Sequence, residues 1–358
     1  MTLTNNTCGR DKSRPYAGHY QLCIVEQHAQ WNEFVRTHPH GHMLQSWEWG
    51  EFKARNGWSP LRVALWHTET QRMVAAAQVL RRTMPHVPLR AGYLAYLPKG
   101  PVIDWHQAEL CATFFSQLDH LLHHQGAITL RVEPALSTNT PESTQAQHIL
   151  ANWCTRAIQP LQPLRTIMLD LTNDEETLLA HMKEKWRYNV RLAARKGVTI
   201  REAQSSDDVR AWYALMLTTS ERDHFGIHTL DYYLHAWRHL ASAGLARLLL
   251  AEYHGELLAG IFVTTFGAES IYLYGASGNE QRNLMPNYLL QWEAIHSAKD
   301  AGATRYDFWG IPVSDEEDAA MAGVYRFKRG WGGSIVTFIG GFEKVYRPLA
   351  MRMARRWL

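Results

Sequence analysis

Four basic side chains raise the first chemical question. Lys183, Arg187, Arg191 and Arg195 recur about one helical turn apart in the segment 175–196, while Leu178, Met182, Trp186, Asn189, Val190 and Ala193 gather on another side at helical spacing. Like charges on one stripe repel one another unless something anionic neutralises them. A phosphate backbone is one such partner, and a plain solvated basic face satisfies the same pattern. In Ile271-Tyr272-Leu273-Tyr274-Gly275 the alternation places Tyr272 and Tyr274 on one side of a strand. Two phenols there either line a polar pocket or pack in a core. His38, His40 and His42 cluster in an expected loop, and His120 and His124 sit one helical turn apart. Both groups lack the further ligands or the HExxH spacing of a zinc site, so no metal is expected. The sequence has no G-x-S-x-G elbow, P-loop or Rossmann fingerprint.

The elements that must carry these residues come in two series. The first runs strand 21–26, helix 30–37, helix 46–56 with a serine cap, hairpin strands 61–66 and 73–81 around Glu69, and a strand over 93–103 interrupted by Pro98 and Gly100. Helix 107–124 and strand 127–132, ending at Glu133-Pro134, follow, and the Ser/Thr/Asn/Pro-rich stretch 137–144 reads as a loop. The second series has strand 166–171, one long helix over 175–196, strand 198–202, helices 207–219 and 231–243, and three strands over 246–253, 256–265 and 270–276. Helix 287–301, short strands 305–308 and 335–339, and a closing helix 342–358 complete it. Two successive α+β units with antiparallel hairpins suggest a duplicated acyltransferase-like architecture. The turn 282–287 sits where acetyltransferases of the GNAT type place a glycine-rich loop that cradles a pyrophosphate. Met285 and Asn287 hold the glycine positions, and their side chains would crowd coenzyme A.

With 358 residues, 46% of them hydrophobic and 20% charged, the chain has room for about two globular domains. No apolar run reaches the roughly 18 residues that a membrane span needs. The polar stretch 1–20 reads as a flexible tail and not as a signal peptide. Cys8, Cys23, Cys111 and Cys154 show no metal-like spacing, so a cytoplasmic protein with reduced thiols is expected. A net charge of only +3 excludes a general nucleic-acid sponge.

Several short segments recur in a fixed order across 22–345: Leu44-Gln45-Ser46-Trp47-Glu48-Trp49 with Lys53 and Gly57-Trp58, then Pro98-Lys99-Gly100-Pro101-Val102, then Arg187-Tyr188-Asn189-Val190-Arg191 leading to Gly197-Val198. Tyr272-Leu273-Tyr274-Gly275, Arg305-Tyr306-Asp307-Phe308-Trp309-Gly310 and Tyr325-Arg326-Phe327-Lys328 follow. In that order and spacing they resemble the FemABX family of peptidoglycan aminoacyltransferases, in its compact form without a coiled-coil arm. The resemblance implies an α+β chain of two tandem GNAT-like domains, an acceptor-side domain over 21–165 plus 342–358 and a second over 166–341, with the C-terminal helix returning to the first. It implies an aminoacyl-tRNA donor, a nucleotide- or lipid-linked muramyl-pentapeptide acceptor, peripheral contact with the inner membrane face, and no cofactor.

Carried over by position, Lys53 falls where the family has a phosphate-contacting lysine, and Glu133 where it has an acidic residue near the acceptor peptide. Tyr232, Tyr272 and Tyr274 fall on pocket tyrosines, and Lys328, after Phe327, on the lysine near the reacting ester. On that basis Lys328 would serve the oxyanion or the leaving ribose hydroxyl, and Glu133 would orient the acceptor ammonium or take its proton. The basic stripe would meet the tRNA or the precursor's phosphates. Where compact members carry an arginine for the diphosphate, this chain has Thr229 and Leu230, which leaves the lipid-linked acceptor open. A CoA-dependent N-acyltransferase on the same fold and a non-catalytic binding module for cell-wall precursors are the competing readings.

Overall fold

A computed structural model describes residues 19–83, 92–314 and 322–354. Most of the expected tail, 1–18, and the end of the expected closing helix, 355–358, lie outside the described residues. The chain divides into two compact units, one running to Gln162 and resuming at Phe338, the other spanning Pro163–Thr337.

The first unit contains β1 (Tyr20–Ile24), α1 (His28–Thr37), α2 (Trp47–Ala54), β2 (Ser59–His67), β3 (Arg72–Thr83), β4 (Tyr93–Pro98), β5 (Val102–Ile103), α3 (Ala108–His124), β6 (Ala127–Glu133), α4 (Pro141–Trp153) and β7 (Arg156–Ile158). The second contains β8 (Arg165–Asp170), α5 (Glu175–His181), α6 (Glu184–Arg195), β9 (Thr199–Glu202), α7 (Ser206–Asp223), α8 (Leu230–Ser242), β10 (Ala246–Tyr253), β11 (Glu256–Phe266), β12 (Glu269–Ser277), α9 (Pro286–Asp300), β13 (Arg305–Gly310), α10 (Ala322–Arg329) and β14 (Ser334–Thr337). The chain then re-enters the first unit as β15 (Gly341–Val345) and α11 (Pro348–Ala354).

Each unit is built on one sheet, ordered β1-β2-β3-β4-β6-β15-β7 with β5 on β3 in the first and β14-β8-β13-β12-β11-β10-β9 in the second. Each sheet is antiparallel except for a single parallel pair, β4 with β6 and β12 with β13. A helix makes the crossover in both cases, α3 in one unit and α9 in the other, as parallel pairing requires. This shared pattern is the duplication expected from the sequence. The first core packs Val63, Leu65, Val79 and Leu97 against Phe114 and Leu118 of α3. The second packs Ile261 and Val263 against Leu290 and Ile295 of α9.

Four sequence expectations need correction. The helix over 175–196 is two helices, because Met182 and Lys183 are extended between them. The break is held from both sides: Lys183 N donates to Gly330 O at 2.9 Å, and Arg187 Nη1 donates to the carbonyls of Leu179, Ala180 and Met182. These carbonyls lie at the end of α5, where helical partners run out; that of Leu179 also accepts from Met182 N at 3.3 Å. The stretch 137–144 is only partly loop: Thr140 accepts from Ser143 N, Ser143 reciprocates and Pro141 opens α4, so the polar residues are a capping box. The expected closing helix begins as β15, inserted between β6 and β7, where the fully buried Glu343 is paired with Arg131 and Arg156. Only Pro348–Ala354 of that stretch is described as helix. Finally, Cys23 is disulfide-bonded while Cys111 and Cys154 are free, so the thiols are not uniformly reduced.

Candidate active site

The second unit holds a buried amine. Lys328 lies on α10 with only 6% of its surface exposed. Its Nζ donates to the Gly310 carbonyl at 2.9 Å and stands 5.5 Å from the Tyr272 ring centroid. That carbonyl is presented by an irregularity in β13. The register against β8 shifts between Asp307 and Gly310, and Trp309 adopts φ +61. A bulky residue in the left-handed region costs about 1–3 kcal/mol, which surrounding bonds must offset. Here Asp307 Oδ1 accepts from Trp309 N at 2.7 Å and from Thr166 Oγ1, and Thr166 Oγ1 also lies 3.0 Å from Trp309 O. Burial drives the Lys328 amine down to about 8 against the opposing pull of the Asp307 carboxylate.

Tyr272 and Tyr274 do not share a face as the alternation suggested. Phe262 pairs with Tyr274 and Val263 with Tyr272, so Leu273 is an extra residue and β12 is bulged there. Tyr272 is thereby brought onto the face of Gly275. A Cβ on Gly275 would stand 1.9 Å from the Tyr272 hydroxyl oxygen, so only glycine leaves room for the phenol. Tyr272 and Phe327 each pack against the second unit's core, and burial pushes the Tyr272 hydroxyl up to about 12. Tyr274 points to the other face, its hydroxyl 3.3 Å from that of Tyr232 and its ring edge-on to Tyr233 at 5.2 Å. His228 stacks on Tyr232 at 3.8 Å. The phenols thus form two sites: Tyr272 belongs with Lys328, and Tyr274 with Tyr232.

In the first unit, Glu133 ends β6 and is 2% exposed. Its carboxylate accepts from Leu161 N at 2.7 Å, Gln162 N at 2.8 Å and the Tyr96 hydroxyl at 3.1 Å. Burial holds it above the usual carboxylate range, opposed by those three bonds and by Lys99. Lys53 sits on α2, whose N-terminus is capped by Ser46 through Trp49 N at 3.1 Å. Its Nζ lies 5.5 Å from the Trp49 ring, and burial together with Arg82 brings it down to about 8. The Arg82 guanidinium stands 5.5 Å from the Trp58 ring, which is 6.2 Å from Tyr96. Lys53, Arg82, Trp58, Tyr96 and Glu133 therefore form one continuous run of cations, rings and a buried acid. Arg82 and Tyr96 were missed because only the β3–β4 pairing and the aromatic contacts bring them there.

The basic stripe is dispersed. Lys183 precedes α6, Arg187 is committed to the end of α5, and Arg191 and Arg195 remain exposed, Arg195 lying 5.9 Å from the ring of the exposed Tyr188. The turn after β12 is a short 3-10 segment closed by Met285 at φ +56, with Pro286 opening α9. Met285 thus adopts a backbone conformation natural to glycine while lining a cavity of about 370 Å³ with Arg282, Asn283, Asn287 and Tyr288.

The profile of the FemAB family matches residues 27–257 and 245–356, nearly all of the described chain. The chain belongs to the FemAB family. Among its relatives is a lipid II:glycine glycyltransferase of Staphylococcus saprophyticus, 24% identical over 379 residues, with 87% of this chain and 90% of that protein aligned. A protein of the same name from Staphylococcus aureus is also 24% identical, over 385 residues at the same coverage. The crystal structure of FemX superposes with a TM-score of 0.84 at 22% identity, covering 93% of this chain and 99% of that one. A tandem GNAT protein from the clavulanic acid biosynthesis pathway superposes at 0.55 with 12% identity, covering 91% and 98%. The expected family and the tandem GNAT-like fold are both borne out.

Proposed function

We propose that this FemAB-family chain is an aminoacyltransferase that moves an amino acid from the ester of an aminoacyl-tRNA onto an amine of a muramyl-pentapeptide peptidoglycan precursor, with Lys328 at the reacting ester. The observation that carries the reading is the buried Lys328 amine, depressed to about 8 and held by one backbone carbonyl beside Tyr272. The names of its staphylococcal relatives supply the substrate class.

The neutral acceptor amine attacks the ester carbon, the C–N bond forms, and the C–O bond to the ribose breaks. The nitrogen gives up one proton and the ribose oxygen takes one. Positioning and electrostatics carry much of such a reaction because the ester is already activated. The Lys328 ammonium is suited to hydrogen-bonding the oxyanion and to supplying the ribose oxygen's proton. A group titrating near 8 gives up a proton far more readily than an ordinary lysine. Lys53 and Arg82 suit the precursor's phosphates. Glu133, with both oxygens already bonded, is a positioning residue that fixes 161–162. Of the two acceptor forms, the lipid-linked one is supported by the relatives' name and by the Thr229-Leu230 departure, and such an acceptor would be met at a membrane face. Met285 and Asn287 in the turn before α9 line the cavity there at positions where the GNAT loop has glycines, which disfavours coenzyme A as donor.

The test is to incubate the protein with tRNA charged with mixed labelled amino acids and with both precursor forms, reading the acceptor by mass spectrometry. A gain of one or more aminoacyl residues, abolished by ribonuclease, is expected. A gain only from acyl-CoA donors would replace this reading with the CoA-dependent one.

A further inference from the structure

The helix α11 packs Ala350 and Met351 inward and presents another face outward. Met351 is 2% exposed and packs with Leu94 and Ile128. Leu349 and Met353, one turn apart, are 76% and 57% exposed, and Leu349 is the most exposed large apolar residue among those described. Arg347 precedes the helix, and Arg352 on it is exposed. Arg81 lies close by in sheet terms, its guanidinium 5.8 Å from the ring of Tyr93, the residue that opens β4 next to β6. The sequence continues with Arg355, Arg356, Trp357 and Leu358. Residues 347–358 thus hold four arginines and no aspartate or glutamate, in a chain whose net charge is +3.

Arginines alone would serve an RNA as well as a lipid headgroup, but a phosphodiester backbone gains nothing from Leu349 and Met353. A bilayer interface uses both: apolar side chains enter the acyl boundary while cations meet anionic headgroups. We propose that α11 docks the protein on an anionic lipid surface, with Leu349 and Met353 entering between headgroups and Arg347 and Arg352 on lipid phosphates. Its use in delivering the enzyme to a lipid-linked acceptor rests on the function proposed above; the docking itself does not.

The test is co-sedimentation of the full chain with phosphatidylcholine vesicles with and without phosphatidylglycerol, none carrying precursor. Binding only to the anionic vesicles is expected, weakened by salt, and reduced by about tenfold or more in Leu349→Glu with Met353→Glu. The milder pair Leu349→Ser with Met353→Ser, at positions exposed in the fold, guards against misfolding and should also bind less. Equal vesicle binding by wild type and both variants would overturn the proposal. So would no binding by wild type, or variants that lose only tRNA binding. Transfer to detergent-dispersed precursor, run in parallel, separates the two ideas. Lost vesicle binding with intact transfer removes the docking role alone, and intact docking without transfer removes the reaction alone.

Discussion

Glu133 and Lys328 are both buried ionisable residues, one in each unit, and they are buried in opposite ways. Glu133 meets three donors from its own unit, two of them backbone amides. Among the described residues, Lys328 meets one acceptor, Gly310 O, and an aromatic ring. A buried charge whose bonding capacity is filled works as an anchor. One left with spare donors in a water-poor site is available for chemistry. The two residues entered the sequence reading as equal catalytic candidates, and their surroundings separate them.

The sharpest way to break that contrast is Lys328→Met. Turnover should fall by about 10²–10³, the range for removing one transition-state donor. The melting temperature should hold or rise, because a folded-state amine near 8 means that keeping the ammonium buried costs about 3 kcal/mol at neutral pH. The sign follows from the depressed value. Between about 8 and the unfolded lysine's range the unfolded state binds more protons, so stability rises with pH there and the penalty is fully present below it. Glu133→Ala should show the reverse pattern, a loss of about 3 kcal/mol from stranding buried donors and less than about a tenfold change in turnover by the folded fraction. Thermal melts and turnover of both variants settle whether the two charges differ as described.

A smaller effect tests Tyr272 as Lys328's neighbour. Gly275→Ala should push the Tyr272 ring aside and lower turnover by about tenfold, whereas in a Tyr272→Ala background the same alanine should add little, because the ring atoms it would clash with are gone. An equal loss in both backgrounds would detach Gly275 from Tyr272. The smallest effect concerns α6. Arg187→Ala should cost about 1 kcal/mol of stability by uncapping α5 and leave the salt dependence of donor binding unchanged. Arg191→Ala should leave stability alone and make the salt slope shallower by about 0.9.

Much of the molecule was legible because its signals are local. The hairpins, the Ser46 cap and most strand positions follow from alternation and turn residues. The motif segments single out Lys53, Tyr272 and Lys328, and the end of the strand over 127–132 singles out Glu133. What was illegible depends on contacts distant in sequence. Nothing local marks the break after α5, because Lys183 is held by Gly330 and the apolar repeat continues through it. The face reversal at Leu273 is a register shift against β11, invisible to an alternation count. The strand at 341–345 gains its identity from Arg131 and Arg156, which pair with Glu343. The helix carrying Lys328 went unread because it is only 8 residues long, contains Gly323, and buries only Tyr325 and Lys328.

The measurement closest to the central claim is the pH dependence of single-turnover aminoacyl transfer at saturating donor, for wild type and Lys328→Arg. The rising limb belongs to the acceptor amine and should appear in both. The wild-type rate should then fall as pH rises through about 8, and the arginine variant, charged throughout, should lack that fall whatever its absolute rate. A wild-type rate with no falling limb from about pH 7 to about pH 9.5, with Lys328→Met turning over like wild type, would contradict the account.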